Sequence, residues 1–168
     1  MILVDTDVLS AFAKIDAIHL LFELFKVDFM SITEGVFKEI RYSADAGYGF
    51  AELLIRLVDS QKLQIVHLTA QEKVEAEKLP NSLGVGERES IVALKNRGGI
   101  LLSNESRVRH YCQYWHLVSL RIPDILRALW IEKVVSKQEV MRIIQELGSR
   151  DQMRFSESSI QAIFAEAP

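Results

Sequence analysis

The sequence predicts an α/β fold built on a mostly parallel sheet flanked by helices, and three observations predict it. Short β-rich runs alternate with helical windows along most of the chain, the runs are strongly apolar, and several are followed at once by acidic or small polar residues. The runs are Ile2-Leu3-Val4, Phe29-Met30-Ser31-Ile32, Leu63-Gln64-Ile65-Val66, Ile100-Leu101-Leu102 and Leu117-Val118-Ser119-Leu120. Helical windows fall near 8–25, 34–41, 49–60, 70–79, 86–96 and 105–113, with three more after Pro123, near 124–131, 136–147 and 157–165. Tyr42–Gly49 and Gly148–Phe155 read as the flexible connections.

The 168 residues suit a single domain over 1–168, with a core of about 1–122 and a helical extension of about 123–168. Hydrophobic residues make up 49% and charged residues 26%, the balance of a globular chain. The 20 Lys and Arg against 23 Asp and Glu give a net charge of −3, so any nucleic-acid contact must be local, aided by metal ions, or completed by a partner. A single cysteine, Cys112, excludes an intrachain disulfide and a multi-cysteine zinc site; its apolar surroundings read as those of a buried, inert thiol. No apolar run approaches the roughly 18 residues of a membrane span. The opening Met-Ile-Leu-Val-Asp lacks the features of a signal peptide, which makes a cytoplasmic location the expectation.

In a parallel sheet, ligands collect beyond the C-terminal ends of the strands. Asp5 follows the first run directly, in Val4-Asp5-Thr6-Asp7-Val8-Leu9; as a helix cap it would be ordinary, but Asp7 can take that duty and leave Asp5 free. In the next helical window Ser31 with Glu34 has the spacing of a capping box, and Glu39 borders the inward stripe of Val36 and Ile40. Glu87 opens a helix after Leu83-Gly84-Val85-Gly86, in line with the core positions Ile91 and Leu94, with small Ser90 beside it; Glu89 faces elsewhere and is the weaker candidate. Glu105 follows the fourth run in Ser103-Asn104-Glu105, where Ser103 or Asn104 would cap the next helix equally well. Clustered carboxylates repel one another and stay ionised only with cations among them, and an all-oxygen donor set suits Mg²⁺ or Mn²⁺. Such an ion supports hydrolysis of a phosphodiester.

Four segments in order, Val4–Leu9, Val36–Ile40, Leu83–Ile91 and Leu101–Arg109, resemble PIN domains of the toxin (VapC-like) kind across roughly residues 1–120. The resemblance implies a three-layer α/β fold and a Mg²⁺- or Mn²⁺-dependent endoribonuclease. It implies an RNA substrate, a homodimer and an antitoxin protein as partner. It also places the catalytic and metal-binding acids at Asp5, Glu39, Glu87 and the 104–105 position, where Glu105 keeps the charge. By their own placement Thr6, Asp7, Ser103, Asn104, Arg107 and Arg109 are candidates for supporting the acids or touching RNA, and a solvated helix face is an equal reading of the two arginines. The fourth segment departs from the family, which usually carries Asp where this chain has Asn104 and Glu105. Two alternatives stand beside this reading. One is a degenerate PIN fold that binds RNA or protein without cutting. The other is a haloacid-dehalogenase-like phosphatase using Asp5 as nucleophile and Asp7 as acid/base, which lacks the late acidic pair that chemistry needs. The aromatic residues Tyr111, Tyr114 and Trp115 read as core packing rather than base stacking, and His19, His67 and His116 as core or edge histidines.

Overall fold

The computed structural model describes residues 1–166. Five strands, β1 (Ile2–Val4), β2 (Met30–Thr33), β3 (Leu63–Val66), β4 (Ile100–Leu102) and β5 (Val118–Leu120), form one sheet in the order β3-β2-β1-β4-β5, and every adjacent pair is parallel. β1 is central: Leu3 pairs with Ser31 on one side and with Leu101 on the other. A strand with neighbours on both edges and helices on both faces has no wet side, which is why Ile-Leu-Val needs no polar alternation.

Side chains alternate across the sheet and divide the interior in two. Val4, Met30, Ile32, Leu63 and Leu102 face one core, shared with α1 (Thr6–Lys14), α2 (His19–Phe25), α3 (Glu34–Asp45) and α4 (Gly49–Asp59). Leu3 and Leu101 face the other, shared with α5 (Ala70–Glu77), α6 (Val85–Arg97) and α7 (Ser106–Tyr114). Three layers result. The last helices, α8 (Ile122–Ile131), α9 (Lys137–Arg150) and α10 (Glu157–Phe164), add Ile122, Ile125, Leu126, Leu129, Val140, Ile143, Ile144, Leu147 and Ile163 to the first core. Trp130 Nε1 of α8 donates to the Ile163 carbonyl of α10 at 2.7 Å, joining these helices to one another. Polar ties to α1 fix them to the rest: Arg150 Nη1 donates to the Lys14 carbonyl at 3.2 Å, and the Lys14 ammonium pairs with Asp151.

Some element boundaries differ from expectation. The window 8–25 is two helices, because Asp16 takes a left-handed backbone (φ 57°) and the Ala17 N–H turns back to the Phe12 carbonyl at 2.9 Å, closing α1. The expected loop Tyr42–Gly49 shrinks to Ala46–Tyr48, since α3 continues to Asp45 before Gly47 (φ 83°) ends it. Helix α9 likewise absorbs Gly148 and runs on to Arg150.

Two helix backbones come into direct contact where α3 crosses α6. A Cβ on Gly35 would lie 2.6 Å from the Gly86 nitrogen and 2.7 Å from its Cα. A Cβ on Gly86 would lie 2.9 Å from Val36 Cγ2 and 3.0 Å from the Val36 nitrogen. The two backbones touch, and neither position has room for a methyl group. Gly86→Ala is therefore expected to lower stability by about 2 kcal/mol, the cost of overpacking a site that cannot relax. Gly49→Ala, where no atom lies within 4 Å, should leave stability unchanged or raise it. Urea unfolding midpoints of the two variants check the contrast, and equal midpoints would refute it.

Candidate active site

The chain lays β1, β2 and β3 outward in one direction, then returns to place β4 on the other side of β1. The crevice at such a reversal is where open α/β sheets place ligands. Asp5 and Asp7 stand at its β1 side, Ser103, Asn104 and Glu105 at its β4 side, and the α3–α6 crossing brings Glu39 and Glu87 to its rim.

Asp5 is 4% exposed and is itself the cap of α1, accepting from the Thr6 N–H at 2.9 Å. The expectation that Asp7 would free it from this duty is corrected. Asp7 instead accepts from the Val8 N–H at 2.6 Å and from the Asn104 N–H at 2.7 Å, tying the start of α1 to the loop after β4. The second oxygen of Asp5 accepts from the Ser103 hydroxyl at 3.1 Å, and Ser103 Oγ accepts in turn from the Glu105 N–H at 3.3 Å. Glu105 occupies the cap position of α7 without capping it through its side chain. That carboxylate is left for other work.

Glu39 accepts a hydrogen bond from the Thr6 hydroxyl, which fixes an α3 side chain to the turn after β1. Its other oxygen, Oε1, lies 3.2 Å from where a Gly86 Cβ would stand. Glu87 turns back on its own helix start, accepting from the Gly84 N–H at 2.8 Å. Glu89 does the same service for the neighbouring helix, accepting from the Gly35 N–H at 2.7 Å. Glu34 forms no capping box with Ser31: Thr33 caps α3 by accepting from the Val36 N–H, and Glu34 pairs with His67 and Lys73. The structural role of Glu89 and the glycine crossing were not visible in the sequence, because both depend on which two helices meet.

Several remaining candidates lie outside this set of contacts. Arg107 donates to the Ser82 carbonyl, and Arg109 is exposed. Tyr111 and Trp115 pack on the second core, but Tyr114 is 71% exposed, which corrects its assignment to the core. His19, His67 and His116 are exposed, so all three are surface residues. Cys112 is buried, and burial pushes its thiol pKa up, consistent with an unreactive side chain.

Electrostatics binds the acids into one group. Burial, then the charge of Asp7 and more weakly that of Glu39, raises the Asp5 pKa to about 7, against the pull of the Thr6 and Ser103 hydrogen bonds. Burial also raises Asp7 to about 6, reinforced by Glu105 and Glu87 and opposed by the Asn104 and Val8 N–H groups. Asp7 and Glu39 thus act on the buried Asp5, and Glu105 and Glu87 on Asp7, from half-buried positions around it. Ser90, one turn along α6 from Glu87, contributes a fully buried hydroxyl without a hydrogen-bond partner. All the donors are hard oxygens, the chemistry that Mg²⁺ and Mn²⁺ favour, and a cation would offset the burial and the neighbouring charges that lift Asp5 and Asp7. Among the described residues no group of three or more His, Cys, Asp or Glu side chains is placed to hold a metal ion. The fit is to an ion that keeps much of its water and takes one or two carboxylates directly, as Mg²⁺ commonly does.

An acid with a folded pKa above its unfolded one binds more protons when folded, so stability falls as pH rises between the two values. For Asp5 that window runs from about 3.8 to about 7. With divalent ions chelated, Asp5→Asn is therefore expected to exceed the parent in stability by about 2 kcal/mol at pH 8, after allowance for relaxation and lost hydrogen bonding. The advantage should vanish near pH 4. Thermal melts across pH check this, and a parent equally stable at both pH values relative to the variant would contradict it.

A family model described as a PIN domain matches residues 1–168. Comparison with curated proteins and with solved structures returned no match. PIN domains are in general nucleases that use divalent metals, and the match sets the phosphatase alternative aside. No helix among the described residues is long and apolar enough to cross a membrane. With its whole length matched, and a parallel five-stranded sheet between two layers of helices, the chain belongs to the PIN-domain family.

Proposed function

We propose that this protein is a Mg²⁺- or Mn²⁺-dependent endoribonuclease, the toxin of a toxin–antitoxin pair, acting in the cytoplasm as one domain and as a homodimer. The observation that carries the ribonuclease reading is the burial of two neighbouring carboxylates, Asp5 and Asp7, at the crevice between β1 and β4, where desolvation first and the charges of nearby acids second disfavour their ionised forms. A divalent ion bound there supplies an activated water and stabilises the leaving oxygen of a phosphodiester.

The chain's own groups then have distinct duties. Asp5, Glu39, Glu87 and Glu105 are the proposed metal-binding and catalytic acids. Ser103 and the Thr6 N–H hold the Asp5 carboxylate in one orientation, so that it needs no rearrangement to receive a cation. The Thr6 hydroxyl does the same for Glu39. Asp7 keeps the loop after β4 against α1 through the Asn104 N–H, which sets where Glu105 begins α7. Glu105 takes the part that Asp plays in most of the family, its longer arm reaching from a cap position that makes no demand on its side chain. Arg107 and Arg109 are the proposed contacts to the substrate's phosphates.

The absence, among the described residues, of three such side chains placed to hold a metal ion favours one second reading, a PIN fold that binds RNA or protein without cutting. Cleavage of a mixed RNA pool separates the two. The parent should cut only with Mg²⁺ or Mn²⁺ present, Asp5→Asn should be inactive, and Glu105→Gln should lose metal affinity and cleavage together. Asn104→Asp should cut as well as the parent or better. Calorimetry in buffers of different ionisation enthalpy should show protons released as Mn²⁺ binds, since the raised carboxyls must give them up. Full cleavage by Glu105→Gln would return that residue to a purely structural role, and no cleavage by any variant would favour the non-catalytic reading.

A further inference from the structure

A hollow opens beside the acids, bounded by Gly35, Lys38, Glu39, Tyr42 and Ser43 of α3 and by Val85 at the start of α6. It meets the candidate active site at Glu39, which belongs to both and is the only acid among these lining residues. Gly35 forms part of its base, at the point where the two helices touch. Tyr42 stands along its wall, 79% exposed, with no hydrogen bond or aromatic partner among the described residues. Three residues separate Tyr42 from Glu39, about 4.5 Å of helix rise, so the ring lies one turn away from the acids. Nothing in the packing of the fold uses it.

Two cations stand close to the ring. Lys38 and Arg41 flank Tyr42 on the exposed face of α3, and neither makes an ion pair among the described residues. Lys38 also borders the adjoining hollow, where Lys73 and Arg88 face Glu34, Glu77 and Glu89. Lys38 and Arg41 stand beside an exposed aromatic ring at the rim of the acid-bearing crevice, with Glu39 the acid in the groove itself. An aromatic face between cations is the chemistry that holds single-stranded nucleic acid, the ring stacking on a base and the cations facing phosphates.

We propose that the groove beside Glu39 holds the single-stranded segment of RNA next to the bond to be cut, with one base stacked on Tyr42 and the phosphates facing Lys38 and Arg41. The proposal rests on the ribonuclease reading of the acid cluster. It demands an unpaired strand, because a base inside a duplex is already stacked on its neighbours and offers no face to Tyr42. Tyr42 is a positioning residue in this scheme, since the acids and not the ring act on the reacting phosphate.

The test uses the full chain carrying Asp5→Asn, which binds without cutting, and single-stranded RNA oligonucleotides containing 2-aminopurine, whose fluorescence is quenched by stacking. Binding should quench the probe. Adding Tyr42→Ala should abolish the quench and weaken binding about tenfold, while Tyr42→Phe should keep both, since the ring and not the hydroxyl is used. Lys38→Ala with Arg41→Ala should weaken binding and flatten its salt dependence. Tyr114→Ala, at the far end of α7, should change nothing. In the active enzyme Tyr42→Ala should raise KM and leave kcat near that of the parent. Unchanged quenching and affinity in Tyr42→Ala would overturn the proposal, as would equal affinity for a fully paired duplex. So would a variant that alters the oligomeric state but not RNA binding, which would make this face a contact between copies of the chain. A parent that cuts RNA while Tyr42→Ala behaves like it removes this inference alone; a parent that neither binds nor cuts RNA removes the ribonuclease reading as well.

Discussion

The contact between the backbones of α3 and α6 at Gly35 and Gly86 governs the geometry of the site. Glu39 and Glu87 belong to helices that leave the sheet from different strands, and only a crossing without intervening side chains draws them to the same rim. The crossing also explains the hydrogen bonds around it. Glu89 reaches the Gly35 N–H because α6 lies directly over the start of α3, and Glu87 reaches the Gly84 N–H because the turn entering α6 is tight. The two glycines place acids; other residues then restrain them.

What the fold spends on this arrangement is electrostatic. Asp5 is buried beside Asp7 and within the influence of Glu39, and each of these contacts disfavours its charged form. The hydrogen bonds from Thr6 and Ser103 offset part of that cost while fixing the direction of the carboxylate. Sites held ready for a charged ligand show this combination: polar groups already oriented, with a residual imbalance that the ligand removes.

The sheet was legible in the sequence because its strands are short, apolar and evenly spaced, and because a strand enclosed on both faces leaves no competing pattern. All five strands overlap the runs that predicted them, and the parallel arrangement followed from the helices between them. Helix ends were harder to read. Asp16 breaks the first helical window with a left-handed backbone that aspartate tolerates but does not announce. The acids at strand ends could be singled out one at a time, since their positions depend on local order along the chain. Their restraints could not: the Thr6–Glu39, Asp7–Asn104 and Glu89–Gly35 contacts join residues 33, 97 and 54 positions apart. Tyr114 illustrates the opposite error, an aromatic residue in an apolar stretch that points to solvent because its helix has one face to the core and it lies on the other.

Helix α1 carries Asp7 in its first turn and is capped by Asp5, while its last residue, Lys14, is gripped by Asp151 and by Arg150 from the end of α9. Nine residues of α-helix make a rod about 13 Å long, stiff along its axis. The C-terminal helices therefore brace the acids from the opposite end of the molecule without approaching them. Mechanically, the rod has a fixed heel and a working tip. A substitution that removed Asp151 would loosen the heel and leave the capped tip where Asp5 holds it, so the two ends of the rod are secured by separate means.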